Sequence, residues 1–155
     1  MISNASPLIF LSKIGQISLL KKLFAFILIS KEVKDEIFVE GKPETIDIAN
    51  AIKQGWIKVV EVKDNIPIGI EGGESSVINL ARERKDKLVI DDSIAIKVAK
   101  AFDIETIRTT TIIFMAVEKN IINKKQAISL INKLIDIGYY ISPTYYSAIL
   151  AKLSS

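Results

Sequence analysis

Short apolar runs of strand length alternate with amphipathic helical patterns along nearly the whole chain. "AFILIS" (25–30), "WIKVVEV" (56–62), "KLVI" (87–90) and "IETI" (104–107) read as strands, after a short start at 1–3. Helical spacing predicts helices over 7–23 with a break near Gly15, over 31–40 ended by Gly41, and from Pro43 to a stop at Gly55. A glycine-rich loop, "NIPIGIEGG" (65–73), precedes a helix over 74–84 with Val77, Ile78, Leu80 and Ala81 on one side. After the third apolar run, Ile94, Ala95, Val98 and Ala99 fall at helical spacing. Further helices are predicted over 111–119, over 124–137, and from near Pro143 to Leu153. The apolar runs are too short and too uniformly apolar for a sheet with one wet face. They predict an α/β fold, a central parallel sheet with helices on both faces, in one domain covering 1–155.

That architecture places ligands at the carboxyl ends of the strands. Asp91 and Asp92 stand there, where "KLVI" meets the next helix. Asn4 ends the first strand, Glu36 lies in the helix after the second, and Glu74 opens a helix directly after Gly72 and Gly73. If the sheet winds in the usual way, Asn4, Glu36, Glu74 and Asp92 converge in one crevice. Each has a plainer alternative: either aspartate as a helix cap, Glu74 as a charge suited to a helix N-terminus, Glu36 as part of a solvated face, Asn4 as a turn or cap. The conjunction carries the functional reading.

Composition narrows the chemistry. The 155 residues include no cysteine and no histidine, which excludes disulfides, thiolate nucleophiles, His-based zinc sites and Ser-His-Asp triads. What remains is carboxylates, hydroxyls, lysines and a hard metal ion. Clustered carboxylates repel, and Mg²⁺ or Mn²⁺, which prefer oxygen donors, offset that repulsion, acidify a water ligand and stabilise charge on a phosphodiester. The net charge of +3 is compatible with a polyanionic partner without requiring one. No apolar run reaches membrane-spanning length and no signal-peptide pattern opens the chain, so a cytoplasmic protein is expected.

"ISNASPLIFLSKIG", "VKDEIF", "GGESSVINLA" and "LVIDDSIAIKVAKAF" resemble, in order and spacing, the PIN-domain nucleases, and in particular a toxin-like branch related to the VapC ribonucleases. The tail "IGYYISPTYYSAIL" resembles that branch as well, so the likeness covers nearly the whole chain. It implies a three-layer α/β/α fold and a Mg²⁺- or Mn²⁺-dependent ribonuclease site of three or four acids. Carried onto this chain, the acids fall at Asn4, Glu36, Glu74 and Asp92, with Asp91 an adjacent reserve and Ser6 beside the first position. It also implies a homodimer and a small antitoxin protein as partner. Two departures stand out. The first acid is an asparagine, which offers a carbonyl oxygen but no charge. "IRTTTIIF" has Arg108 where relatives commonly have glycine, and Thr109 or Thr110 is left to orient water or phosphate or to cap the next helix.

Lys13, Lys97 and Arg108 are candidate contacts to an RNA backbone, against the alternative of solvated helix faces. No aromatic platform for bases is evident; Tyr139, Tyr140, Tyr145 and Tyr146 are expected to pack or to form a partner surface. The leading expectation is a metal-dependent endoribonuclease. The alternative is a weakened PIN-like module that binds RNA or protein without cutting. A receiver-like phosphoacceptor is disfavoured by the lack of a lysine at the end of a late strand.

Overall fold

The computed structural model describes residues 1–39 and 41–154. Its elements run β1 (Ile2–Ser3), α1 (Ala5–Lys13), α2 (Ser18–Phe24), β2 (Ile27–Ser30), α3 (Lys31–Phe38), α4 (Thr45–Gln54), β3 (Ile57–Val60), α5 (Gly72–Arg84), β4 (Leu88–Val89), α6 (Ser93–Ala101), β5 (Thr106–Ile107), α7 (Thr109–Glu118), α8 (Lys124–Asp136) and α9 (Pro143–Ser154). All strand pairs are parallel, in the order β3-β2-β1-β4-β5. The chain winds outward from β1 through β2 to β3. It then crosses to the other side of β1 for β4 and β5, so the winding reverses between β1 and β4.

Every residue of β2 is buried, although successive strand side chains point to opposite faces. Both faces of the sheet are therefore covered by helices, giving three α/β/α layers as expected. A contiguous cluster including Ile2, Leu8, Leu11, Ile27, Ile29, Val77, Ile78, Leu88, Ile112 and Ile131 fills the interior. Among the described residues, no helix is long and apolar enough to cross a membrane.

The predicted break in the first helical stretch falls at Gly15, whose φ of 71° suits a residue without a Cβ and separates α1 from α2. Gly55 closes α4 as expected. Thr45 rather than Pro43 opens that helix, and Pro43 lies in the turn before it. The predicted end of α3 at Glu40 lies outside the described residues. One expected core residue is misplaced: Ile94 is 66% exposed. Ala95 and Ala99 carry the buried stripe of α6, and at about 100° per residue Ile94 turns away from it.

Candidate active site

Asn4 is fixed by its backbone. Its N–H donates to the Val89 carbonyl at 2.9 Å, continuing the β1–β4 ladder, and its own carbonyl accepts from Ser3 Oγ at 2.9 Å. It occupies the N-cap position of α1, yet its side chain makes no cap bond. The residue is only 4% exposed, and Oδ1 is buried with no hydrogen-bond partner. A buried amide oxygen left unpaired costs roughly 1–3 kcal/mol. The cap alternative does not account for this atom.

Glu36 and Glu74 are brought together by a relay of hydroxyls. Ser30, the last residue of β2, caps α3 by accepting from Val33 N–H at 3.1 Å. Its Oγ lies 2.6 Å from Ser76 Oγ, which donates to the Gly73 carbonyl at 2.6 Å. Because Ser76 spends its proton on Gly73, Ser30 must donate to Ser76. The first turn of α5 is thereby tied to the head of α3. Gly73 N–H then donates to Glu36 Oε1 at 2.7 Å. A Cβ at position 73 would lie 2.5 Å from that oxygen, so the second glycine of "GGE" is where a carboxylate and a backbone meet. Glu74 follows directly. Its carboxyl is raised above the ordinary glutamate value by burial first, then by the charges of Asp92 and Glu36.

The two adjacent aspartates divide their work. Asp92 is the N-cap of α6, where Oδ1 accepts from Ala95 N–H at 2.8 Å. The residue is exposed and Oδ2 makes no hydrogen bond among the described residues. Asp91 turns the other way. Its Oδ1 accepts from Thr109 N–H at 2.9 Å and from Tyr139 O–H at 2.6 Å, and its Oδ2 accepts from Thr109 Oγ1 at 2.6 Å. Arg108 Nη1 donates to the Asp91 carbonyl at 2.9 Å. Burial, the charge of Asp91 and the hydrogen bond to it push the Tyr139 hydroxyl far upward, so it remains a neutral donor.

Two of the candidates are thereby tied to the fold. Both oxygens of Asp91 accept from the head of α7 or from Tyr139, so the carboxylate links those elements. Thr109 is fully buried, and its hydroxyl donates to Asp91 at the head of α7. Thr110 is also buried and pairs with Tyr145 Oη at 3.2 Å.

Ser6 is exposed in the first turn of α1. Lys13 is 3.9 Å from Glu44 and lines a small cleft with Glu36 and Lys42. Lys97 is exposed on α6, and Arg108 is half-buried at the carboxyl end of β5. Tyr139 packs, as the tail tyrosines were expected to do, but its bond to Asp91 was not foreseen, and neither were the roles of Ser30, Ser76 and Gly73. A serine ending a strand before a helix, and a glycine pair before a glutamate, were the signals available.

The β1–β4 ladder sets Asn4 beside the exit leading to Asp92, Glu74 lies within the fields of Asp92 and Glu36, and Glu36 is bound to the residue before Glu74. Among the described residues, no three carboxylates form a ready cage for a metal ion. The first position carries an amide, and Glu36 is drawn to the Gly73 amide. The donors nevertheless suit a hard divalent cation: an orphaned carbonyl oxygen and carboxylates whose mutual repulsion such an ion relieves.

No curated protein and no solved structure matches the chain. One family does, described as "DUF3368: PIN domain", and the match runs over residues 1–155. With a parallel sheet whose winding reverses beside Asn4 and acids gathered at its carboxyl edge, the chain belongs to the PIN-domain family, within the PIN nuclease superfamily.

Proposed function

We propose that the protein is a metal-dependent endoribonuclease that hydrolyses RNA phosphodiester bonds, with Asn4, Glu36, Glu74 and Asp92 as donors to Mg²⁺ or Mn²⁺. The observation that carries this reading is the crowding of Glu74 by Asp92 and Glu36 at the carboxyl edge of the sheet, next to the strand end that holds Asn4. When bound, the cation supplies an acidified water and charge compensation for the phosphodiester. Asn4 contributes Oδ1, which has no partner inside the protein. Asp92 is oriented by its own cap bond, which leaves Oδ2 for the crevice. Glu36 is steadied by Gly73 N–H. The likeness of "ISNASPLIFLSKIG" and of the tail to the VapC-related branch extends the proposal to a cytoplasmic homodimer held in check by a small antitoxin.

Asp92→Asn is the informative variant, because asparagine caps a helix as well as aspartate does. It removes the charge and keeps α6 intact. A calorimetric Mn²⁺ titration beside a cleavage assay on fluorophore-labelled RNA should show binding and cleavage in the wild type and neither in the variant. Equal cleavage rates in the two proteins would sink the site assignment.

A second reading has its own support. The amide at position 4 and the lack of a three-carboxylate cage among the described residues fit a weakened module that binds without cutting. On that reading wild type is inert, and Asn4→Asp confers Mn²⁺ affinity and cleavage. A wild type that cuts RNA at a rate Asn4→Asp does not raise excludes it.

A further inference from the structure

A second cleft opens on the same edge of the sheet, of about 420 Å³, lined by Ser93, Arg108, Tyr139, Tyr140, Ser142 and Tyr145. It adjoins the acidic crevice covalently, since Ser93 directly follows Asp92. Two of its tyrosines spend their hydroxyls on the protein: buried Tyr139 donates to Asp91 and packs edge-on against Phe10 at 5.2 Å, and Tyr145, 40% exposed, pairs with Thr110. Tyr140 is different. It is 82% exposed and makes no hydrogen bond among the described residues. Arg108 spends one N–H on a carbonyl rather than a carboxylate. A guanidinium has five donors in a planar fork, so its charge and the remaining donors are available to an anion.

An exposed aromatic ring beside a guanidinium, with hydroxyls from Ser93 and Ser142, is the set of groups that holds one unpaired nucleotide. Bases stack on aromatic rings, and arginine forks onto phosphate oxygens. We propose that this cleft is a subsite for one nucleotide of single-stranded RNA next to the cleaved phosphodiester, with its base on Tyr140 and its phosphate on Arg108. The proposal rests on the ribonuclease reading for its substrate. Tyr140, expected with the other tail tyrosines only to pack or to meet a partner, acquires a recognition role, and a duplex, whose bases are already stacked, is excluded.

The test separates binding from cutting. Fluorescence anisotropy of a fluorescein-labelled single-stranded oligouridine, and of its duplex with oligoadenine, is followed in EDTA. Wild type should prefer the single strand, and Tyr140→Ala should weaken that binding roughly tenfold or more. Tyr140→Phe should keep it. Arg108→Gln should reduce the slope of log affinity against log salt by about 0.7. Tyr140→Ala binding as tightly as wild type overturns the subsite, as does equal affinity for single strand and duplex or no binding at all. A protein that cuts RNA with metal yet is indifferent to Tyr140 loses the subsite and keeps the nuclease. One that binds through Tyr140 but never cuts keeps the subsite and loses the nuclease.

Discussion

Gly73 shows how one missing side chain sets the position of a distant carboxylate. Its N–H holds Glu36 Oε1 at 2.7 Å, in space that a methyl group would fill. The clash in Gly73→Ala would be with the end of a flexible side chain, so the backbone need not move; Glu36 must. The variant should therefore melt within about 1 kcal/mol of wild type, as expected for a change without core disruption. Its Mn²⁺ affinity should fall as far as that of Glu36→Gln. Thermal melts with calorimetry on both variants check this, and a Gly73→Ala protein with wild-type affinity would separate Glu36 from the metal.

At the scale of elements, the decisive contact is the one Asp91 makes between the end of β4, the head of α7 and the segment after α8. Removing that carboxylate strands the Thr109 and Tyr139 hydroxyls, and each buried group left unpaired costs roughly 1–3 kcal/mol. Asp91→Ala should lose about 3 kcal/mol in urea unfolding, the sum of two such groups at the low end plus a lost cap. Asp91→Asn, which can still accept from Thr109, should lose less. A small loss for Asp91→Ala would mean the network contributes little to stability. The doubled aspartate was visible in the sequence, but its division of labour was not. Which of two neighbours faces the crevice depends on where β5 and the tail lie, and those are non-local facts. The helices were legible because their apolar positions repeat with the helical period; that of α8 starts at Lys124 as expected, and its capping box of Asn123 and Gln126 reinforces the start. Ile94 misled because four apolar residues in a short helix leave the choice of buried side to packing. Glu36 and Glu74 were legible as acids near strand ends, whereas the Ser30–Ser76 relay that joins their helices needed the fold.

The whole molecule carries the cost of its crowded edge as a dependence on pH. Glu74 holds its proton more tightly folded than unfolded, so between those two values the native state binds more protons. Its contribution therefore favours folding at low pH and is lost as pH rises through the raised folded value. Replacing it, Glu74→Gln removes both the half-buried charge and the repulsion. The variant should gain stability relative to wild type as pH is raised from about 4 to 7, given an ordinary carboxylate near 4.3. Mn²⁺ should raise the melting temperature of wild type at pH 7 more than that of the variant. Melts across this range check both, and a gap between the proteins that does not change with pH would remove Glu74 from the balance.

The strand order also has a consequence for synthesis. β1 pairs with both β2 and β4, and among the described residues two strands and five helices intervene between β1 and β4. A chain growing from the ribosome can pair β1 with β2 early, but the other side of β1 stays bare until Leu88 and Val89 emerge. Until then an apolar strand edge is open to unwanted pairing, the hazard that long-range parallel sheets carry. Asp92 follows that late strand, so the acidic cluster is completed late as well. A nascent or truncated chain ending before β4 thus exposes an apolar strand edge and lacks Asp92, so on the proposed function it would not cut.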